Sequence, residues 1–245
     1  MNVVIAVPGI LEFLDYTPEM NIAIFGTGTV GRTLASKVSE VGNSVYVGTR
    51  NVQKTLSSGK SNSDDPDSIS AWLDIHPGIS LVPFAEAAAK SEIVFLAVSG
   101  QAALPLLKDL DPKLLAGKIL VDLTNPLDFS KGMPPTLSIV NDDSLGEQIQ
   151  SLVPEARVVK TLNMVTSSLM VDPQELGPDH TMCLSGNDSE AKKVVTDMLK
   201  NWFGWSDVID LGDIRQARGM EMYLPLWLRM WGALGTAKFN IKIVR

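Results

Sequence analysis

Six residues, Gly26 to Gly31 in the order GTGTVG, constrain this chain more than any other feature. They follow the apolar run Ile22 to Phe25 and open a segment in which Val30, Leu34, Val38 and Val41 recur at helical spacing. A second strand-like run, Ser44 to Val47, comes directly after. In such a strand–turn–helix–strand unit, Gly26 permits the tight turn out of the strand. Gly28 lets backbone amides approach a pyrophosphate, and Gly31 allows helix and strand to pack closely. The helix N-terminus adds a positive dipole. The unit predicts a dinucleotide site.

The end of the second strand refines that expectation. A free ribose diol is usually held there by an Asp or Glu, yet this chain has Gly48, Thr49, Arg50 and Asn51, with Lys54 one turn on. A carboxylate would repel the additional phosphate of NADP, whereas a hydroxyl, a guanidinium and an ammonium would receive it. The spacing therefore predicts a preference for NADP(H) over NAD(H).

Further strands are expected at Ile79 to Val82, Ile93 to Val98 and Lys118 to Asp122, and beyond them in "RVVKTL", "TMCLS" and Asp207 to Leu211. Most are continuously apolar, as strands covered on both faces are. Helical segments fall between them, including "PFAEAAAK" and "GQAALPLLKDL", and the alternation predicts an α/β, Rossmann-type, doubly wound and mainly parallel sheet with a smaller helical C-terminal part. In "GNDSEAKKVVTDMLKNWFGW", Asn187 and Glu190 resemble a capping box and Gly204 follows the helix end. A final helix is expected from Asp213, kinked at Pro225 and apolar around nearly its whole circumference. The expected division is an extension at 1–19, an NADP-binding domain at 20–164 and a substrate or dimerisation part at 165–245. The polar stretch 57–70 reads as a surface loop able to fold over the cofactor.

With 245 residues, 45% hydrophobic, and a formal net charge of -7, the chain has enough apolar material for a sizeable core and lacks the overall basic balance of a general nucleic-acid binder. No apolar run approaches the ~20 residues of a membrane helix. The single Cys183 allows no internal disulfide and no metal spacing, which fits a cytoplasmic protein. His76 and His180 have no ligand spacing and read as loop residues, and Asp122 could either touch a ligand or cap the turn after its strand. Lys160 is the one lysine positioned for hydroxyacid-type catalysis, but it falls inside a strand.

From Met20 onward the chain resembles the family of coenzyme F-420-dependent NADP oxidoreductases. The resemblance rests on "MNIAIFGTGTVG", "VGTRN" with Lys54, "FLAVSGQA", "VDLTNP", "VVKTLN", "IRQARGMEMYLPLW" and the terminal "FNIKIVR". It implies hydride transfer between NADP(H) and the deazaflavin coenzyme F-420, with two rings stacked at the carboxyl edge of the sheet. The final helix, apolar all round, separately predicts one side closing the ligand pocket and another packing on a second subunit in a homodimer. By motif position, Thr27, Thr49, Arg50 and Lys54 would hold the 2'-phosphate, and Gly28, Thr29 and Val30 would lie along the pyrophosphate. Val98, Ser99 and Gln101 would line the cofactor path, with Asn125 and Pro126 beside the nicotinamide. Asn163, Met164 and Val165 would help to build the partner-ring pocket. In this chain the glycine turn is one residue shorter than in the archaeal enzymes, and Asn163 stands where those can carry a histidine. A soluble flavin or small-carbonyl reductase and a non-catalytic NADP(H)-binding sensor are the competing readings. An open cavity near Met164, Met220, Tyr223 and Trp227 would favour an enzyme, and a filled one a sensor.

Overall fold

The computed structural model describes residues 19–57 and 68–245, so the expected extension at 1–19 and the lid-like loop fall mainly outside the described residues. One sheet organises the chain. Its strands are β1 (Asn21–Phe25), β2 (Ser44–Thr49), β3 (Ile79–Pro83), β4 (Ile93–Leu96), β5 (Ile119–Asp122), β8 (Arg157–Thr161), β9 (Thr181–Gly186) and β10 (Asp207–Asp210). A small separate hairpin pairs β6 (Leu127–Asp128) with β7 (Thr136–Leu137). The order across the large sheet is β10-β9-β8-β5-β4-β1-β2-β3. All neighbours run parallel except β8 and β9. The sheet is thus doubly wound and mainly parallel, with β9 and β10, from the 165–245 part, reversed at one edge.

The continuous apolar strands are explained by cover on both faces. On one face Ile22, Ile24, Val45, Val47 and Phe95 pack beneath α1 (Thr29–Glu40), α7 (Ser167–Val171) and α8 (Ser189–Asn201). On the other, Ala23, Phe25, Val94 and Leu96 meet α4 (Phe84–Lys90), α5 (Gly100–Asp109) and α6 (Leu145–Leu152). Alternate residues of one strand therefore serve two cores, the period-2 geometry of a pleated strand. Short helices α2 (Val52–Ser57) and α3 (Ile69–Asp74) flank the polar stretch that reads as loop from sequence.

Two local expectations are corrected. Asp188, not Asn187, caps α8 by accepting the Ala191 amide, and Asn187 instead accepts the amide of Ile214. The final helix is divided into α9 (Ala217–Met222) and α10 (Leu224–Leu234), with the break at Tyr223 and Pro225 inside the first turn of α10. Proline suits a first turn because the amide it lacks would have no helical partner there. Nor is α10 buried all round: Leu224 and Trp227 face the core, while Leu226, Trp231 and Leu234 remain exposed.

Candidate active site at the carboxyl edge

Sheet order reverses between β1 and β4, where α/β sheets open a crevice beyond the strand ends. The glycine turn fills this switch point. Gly26 has φ +133, and a Cβ there would lie 2.4 Å from the Ala97 carbonyl oxygen; one at Gly31 would lie 2.1 Å from the Gly26 oxygen. Gly28 differs, since a Cβ there would meet nothing within 4 Å. Gly28 also starts α1 without a side-chain cap, leaving the helix's first amides directed at open space.

Two hollows meet across this turn. The first, of about 580 Å³, is lined by Gly26, Thr27, Gly28, Thr49 and Arg50 on one side and by one face of α5, from Gln101 to Asp109, on the other. Arg50 is its one cationic lining residue and Asp109 its one anionic. Arg50 is exposed and makes no ion pair among the described residues. The Thr49 hydroxyl is buried and shares a 2.7 Å hydrogen bond with the hydroxyl of Thr55. Lys54 is exposed on α2 and, like Thr29, lies outside the lining.

The second hollow, of about 400 Å³, is bounded by Val30, Leu123, Asn125, Asn163, Leu224 and Trp227, among others. Val98, Ser99 and Gln101 line both, so the two hollows adjoin in a groove at the carboxyl end of β4. Close backbone approach shapes its floor, since a Cβ on Gly100 would lie 2.0 Å from the Asn125 oxygen.

Asn125 and Asn163 are tied reciprocally. Asn125 Nδ2 donates to the Asn163 carbonyl at 2.9 Å, and Asn163 Nδ2 donates to Asn125 Oδ1 at 2.9 Å and to the Met220 carbonyl at 3.1 Å. Leu162, buried with φ 62, supplies the turn that brings Asn163 there. Such a backbone is costly for a non-glycine residue and persists where its surroundings enforce it. Pro126 and Met164 do not line either hollow. Pro126 is buried and its carbonyl accepts from Ser138, while Met164 packs behind the wall with Cys183 and Met220. The sequence reading missed Phe129, Thr166, Ser167 and Met170, which reach the second hollow from loops and a short helix with no periodicity to expose them.

Beneath the second hollow lies a buried ionic cluster. Lys160 Nζ is 2.9 Å from Asp122 Oδ2 and 2.9 Å from Glu221 Oε1, and all three side chains are at most 1% exposed. Burial pushes the Lys160 pKa down, but the Asp122 and Glu221 carboxylates outweigh it and raise the pKa above the ordinary lysine value. Asp122 also accepts from the Thr124 amide and hydroxyl, so it caps the turn after β5 and lies outside the lining. Both histidines lie in loops, His76 held by Ser36 and Trp72, and His180, which is buried, by Pro173 and Asn240. Among the described residues no group of side chains could hold a metal ion, and no helix is long and apolar enough to cross a membrane.

The residues present fit a dinucleotide: the uncapped start of α1 at Gly28 and the Arg50 guanidinium, unpaired among the described residues, border the same hollow. Asn163 and Trp227 line the second hollow, and their Oδ1 and Nε1 atoms are buried without a hydrogen-bond partner among the described residues.

Fold and groove together define a nucleotide-dependent oxidoreductase of the doubly wound class. Residues 21–126 match the family described as NADP oxidoreductase, coenzyme F420-dependent. The F420-dependent NADP reductase of Methanocaldococcus jannaschii is 31% identical over 84% of this chain and 90% of its own length. A solved structure from Arthrobacter sp. FB24, provisionally assigned as an F420-dependent NADP-reductase, is 53% identical and superposes with a TM-score of 0.86 over 92% of this chain and all of its own. The rat metalloreductase STEAP3 is 30% identical over 84% of this chain, which spans 37% of that longer protein. The chain belongs to the coenzyme F420-dependent NADP oxidoreductase family, and it is an NADP-dependent oxidoreductase.

Proposed function

We propose that this enzyme catalyses hydride transfer between NADPH and coenzyme F-420. The observation that carries the reading is the adjacency of the two hollows: the one beside Arg50 shares Val98, Ser99 and Gln101 with an apolar chamber that is open rather than filled by side chains. A non-catalytic sensor would have no use for that second chamber. NADPH supplies the hydride, and a planar deazaflavin takes it up with one proton from solvent.

The chain's own residues bind and align. Thr27, Arg50 and Lys54 receive the 2'-phosphate, with Thr49 and Thr55 fixing the turn that presents Arg50. The amides at Gly28, Thr29 and Val30 face the pyrophosphate. Asn125, held by Asn163, orients the nicotinamide end, and Pro126 shapes the turn that carries it. Val165, Leu224 and Trp227 exclude water from the partner ring, with Met164 supporting them from behind. Such a reaction needs placement in a dry site more than acid–base chemistry.

The test is anaerobic oxidation of NADPH deuterated at its reactive face, with F-420, FMN and FAD as separate acceptors. Label in the reduced deazaflavin is the expected result. Turnover of free flavins alone would replace this reading with a flavin reductase, and tight nucleotide binding without turnover would favour the sensor.

The exposed apolar face of α10, with Leu226 56%, Trp231 40% and Leu234 59% exposed, supports a homodimer formed on this helix. A monomeric mass in light scattering at micromolar concentration would overturn it.

A further inference from the structure

The Asp122–Lys160–Glu221 cluster spans three elements, and each of its members shortly precedes a wall of the second hollow. Asp122 ends β5, just before Leu123, Thr124 and Asn125. Lys160 lies in β8, three residues before Asn163. Glu221 lies in α9, one turn before Leu224 and two before Trp227. Asp122 and Lys160 are direct neighbours in the β5–β8 register. Glu221 joins them from the C-terminal helices.

Every polar group in the cluster is satisfied. The ammonium makes contacts to Asp122, to Glu221 and to the Thr124 carbonyl, which uses its three donors. Glu221 Oε2 accepts the Leu145 amide at 2.8 Å and Oε1 the Gly146 amide at 3.0 Å. Those amides begin α6, so the helix's positive end balances the second carboxylate.

Burying such a cluster is a poor route to stability, since well-packed apolar residues of similar size often do as well or better. What it does provide is geometry. Apolar surfaces slide against one another at little cost, whereas three charged groups with fixed hydrogen-bond directions allow one arrangement.

We infer that Lys160, with Asp122 and Glu221, is a positioning residue for the reaction: the cluster fixes α9 and α10 against the ends of β5 and β8 and so sets the width of the chamber in which the two rings meet. This inference rests on the proposed hydride transfer. It concerns the partner-ring side alone, because no member of the cluster lines the hollow beside Arg50.

Two variants test it. Glu221→Gln leaves the Lys160–Asp122 pair intact, and Asp122→Asn/Lys160→Met/Glu221→Gln removes all three charges without leaving one unpaired. The first readout needs no acceptor: hydrogen exchange in the protein without ligand, followed peptide by peptide. Amides of Leu224–Leu234 are expected to exchange faster in both variants, while β1 and β4 keep their protection and NADPH affinity changes by less than about threefold. The second readout is turnover with whichever acceptor the unaltered enzyme reduces. There kcat is expected to fall about tenfold or more, since misplacement by about 1 Å can cost about a hundredfold, with the KM for NADPH little changed. Unchanged exchange in α10 in the variant that folds would overturn the inference, as would an increase spread evenly over the sheet or a parallel loss of NADPH affinity. If the unaltered enzyme does not reduce F-420, the proposed function fails separately, and the exchange readout still decides the role of the cluster.

Discussion

Two polar regions share the carboxyl edge of the sheet, and they are built in opposite ways. Beside the glycine turn the groups are uncommitted: Gly28 faces open space, α1 has no side-chain cap, and Arg50 is exposed and unpaired among the described residues. Under the second hollow every charge is spent within the protein, with Lys160, Asp122 and Glu221 buried and bonded to each other and to α6. Under the proposed hydride transfer the difference has a reason: a region that receives a charged ligand must keep donors free, and one that aligns two rings must keep its walls still.

The sharpest way to break that comparison is to remove one charge from the closed region. Lys160→Met leaves two buried carboxylates without their cation, which should destabilise the fold by about 3–5 kcal/mol in urea denaturation. Combined with Asp122→Asn and Glu221→Gln, the same substitution should recover most of that loss, because no charge then stays unpaired. Failure to recover would mean that the cluster stabilises more than it specifies.

In the open region the effect should fall on binding instead. Arg50→Ala is expected to weaken NADPH by about 1.5–3 kcal/mol while leaving NADH and the melting temperature nearly unchanged. Isothermal titration with both nucleotides checks this, and equal losses would make Arg50 structural.

A pair of glycine substitutions separates binding from folding within one turn. Gly31→Ala must displace the Gly26 backbone, so it should cost more than about 1 kcal/mol of stability. Gly28→Ala meets no protein atom and should fold normally, yet its methyl group enters the space the pyrophosphate needs. Melting curves with and without NADPH distinguish the two. A stable Gly28→Ala variant with full affinity would remove the pyrophosphate from this turn.

The smallest change concerns the ion pair that joins α6 to α9. A hydrogen bond from Arg218 holds the Glu147 carboxyl below its ordinary range. A carboxylate depressed in this way contributes stability above its unfolded pKa and loses it as the pH falls through the folded value. Glu147→Gln should therefore lower the melting temperature slightly at pH 7, and the gap from the parent should close in acid, below the folded value.

Much of the open region is legible in the chain because its chemistry is local. The glycine turn, the helix at Val30 to Val41 and the acid-free end of β2 occupy one contiguous segment, and each residue's role follows from neighbours a few positions away. The strands were legible for a similar reason, since burial on both faces leaves unbroken apolar runs. Where expectation failed, a distant contact had decided. Asp188 rather than Asn187 caps α8 because Asn187 is drawn to Ile214, and the α10 face that reads as uniformly apolar is half exposed.

The closed region was hidden for the same physical reason. Asp122 and Lys160 stand out as charges within apolar strands, and Glu221 as one within an apolar helix, but 38 residues separate the first two and Glu221 arrives from the far end of the chain. The sequence by itself determined the sheet and the glycine turn, set by propensity and period, and carried the expectation of NADP in the acid-free end of β2. Only the tertiary structure decided which side chains wall the second chamber, where Lys160 finds its two carboxylates and how α10 lies. Those depend on the order in which strands pair, and pairing between remote segments leaves no pattern in either segment alone.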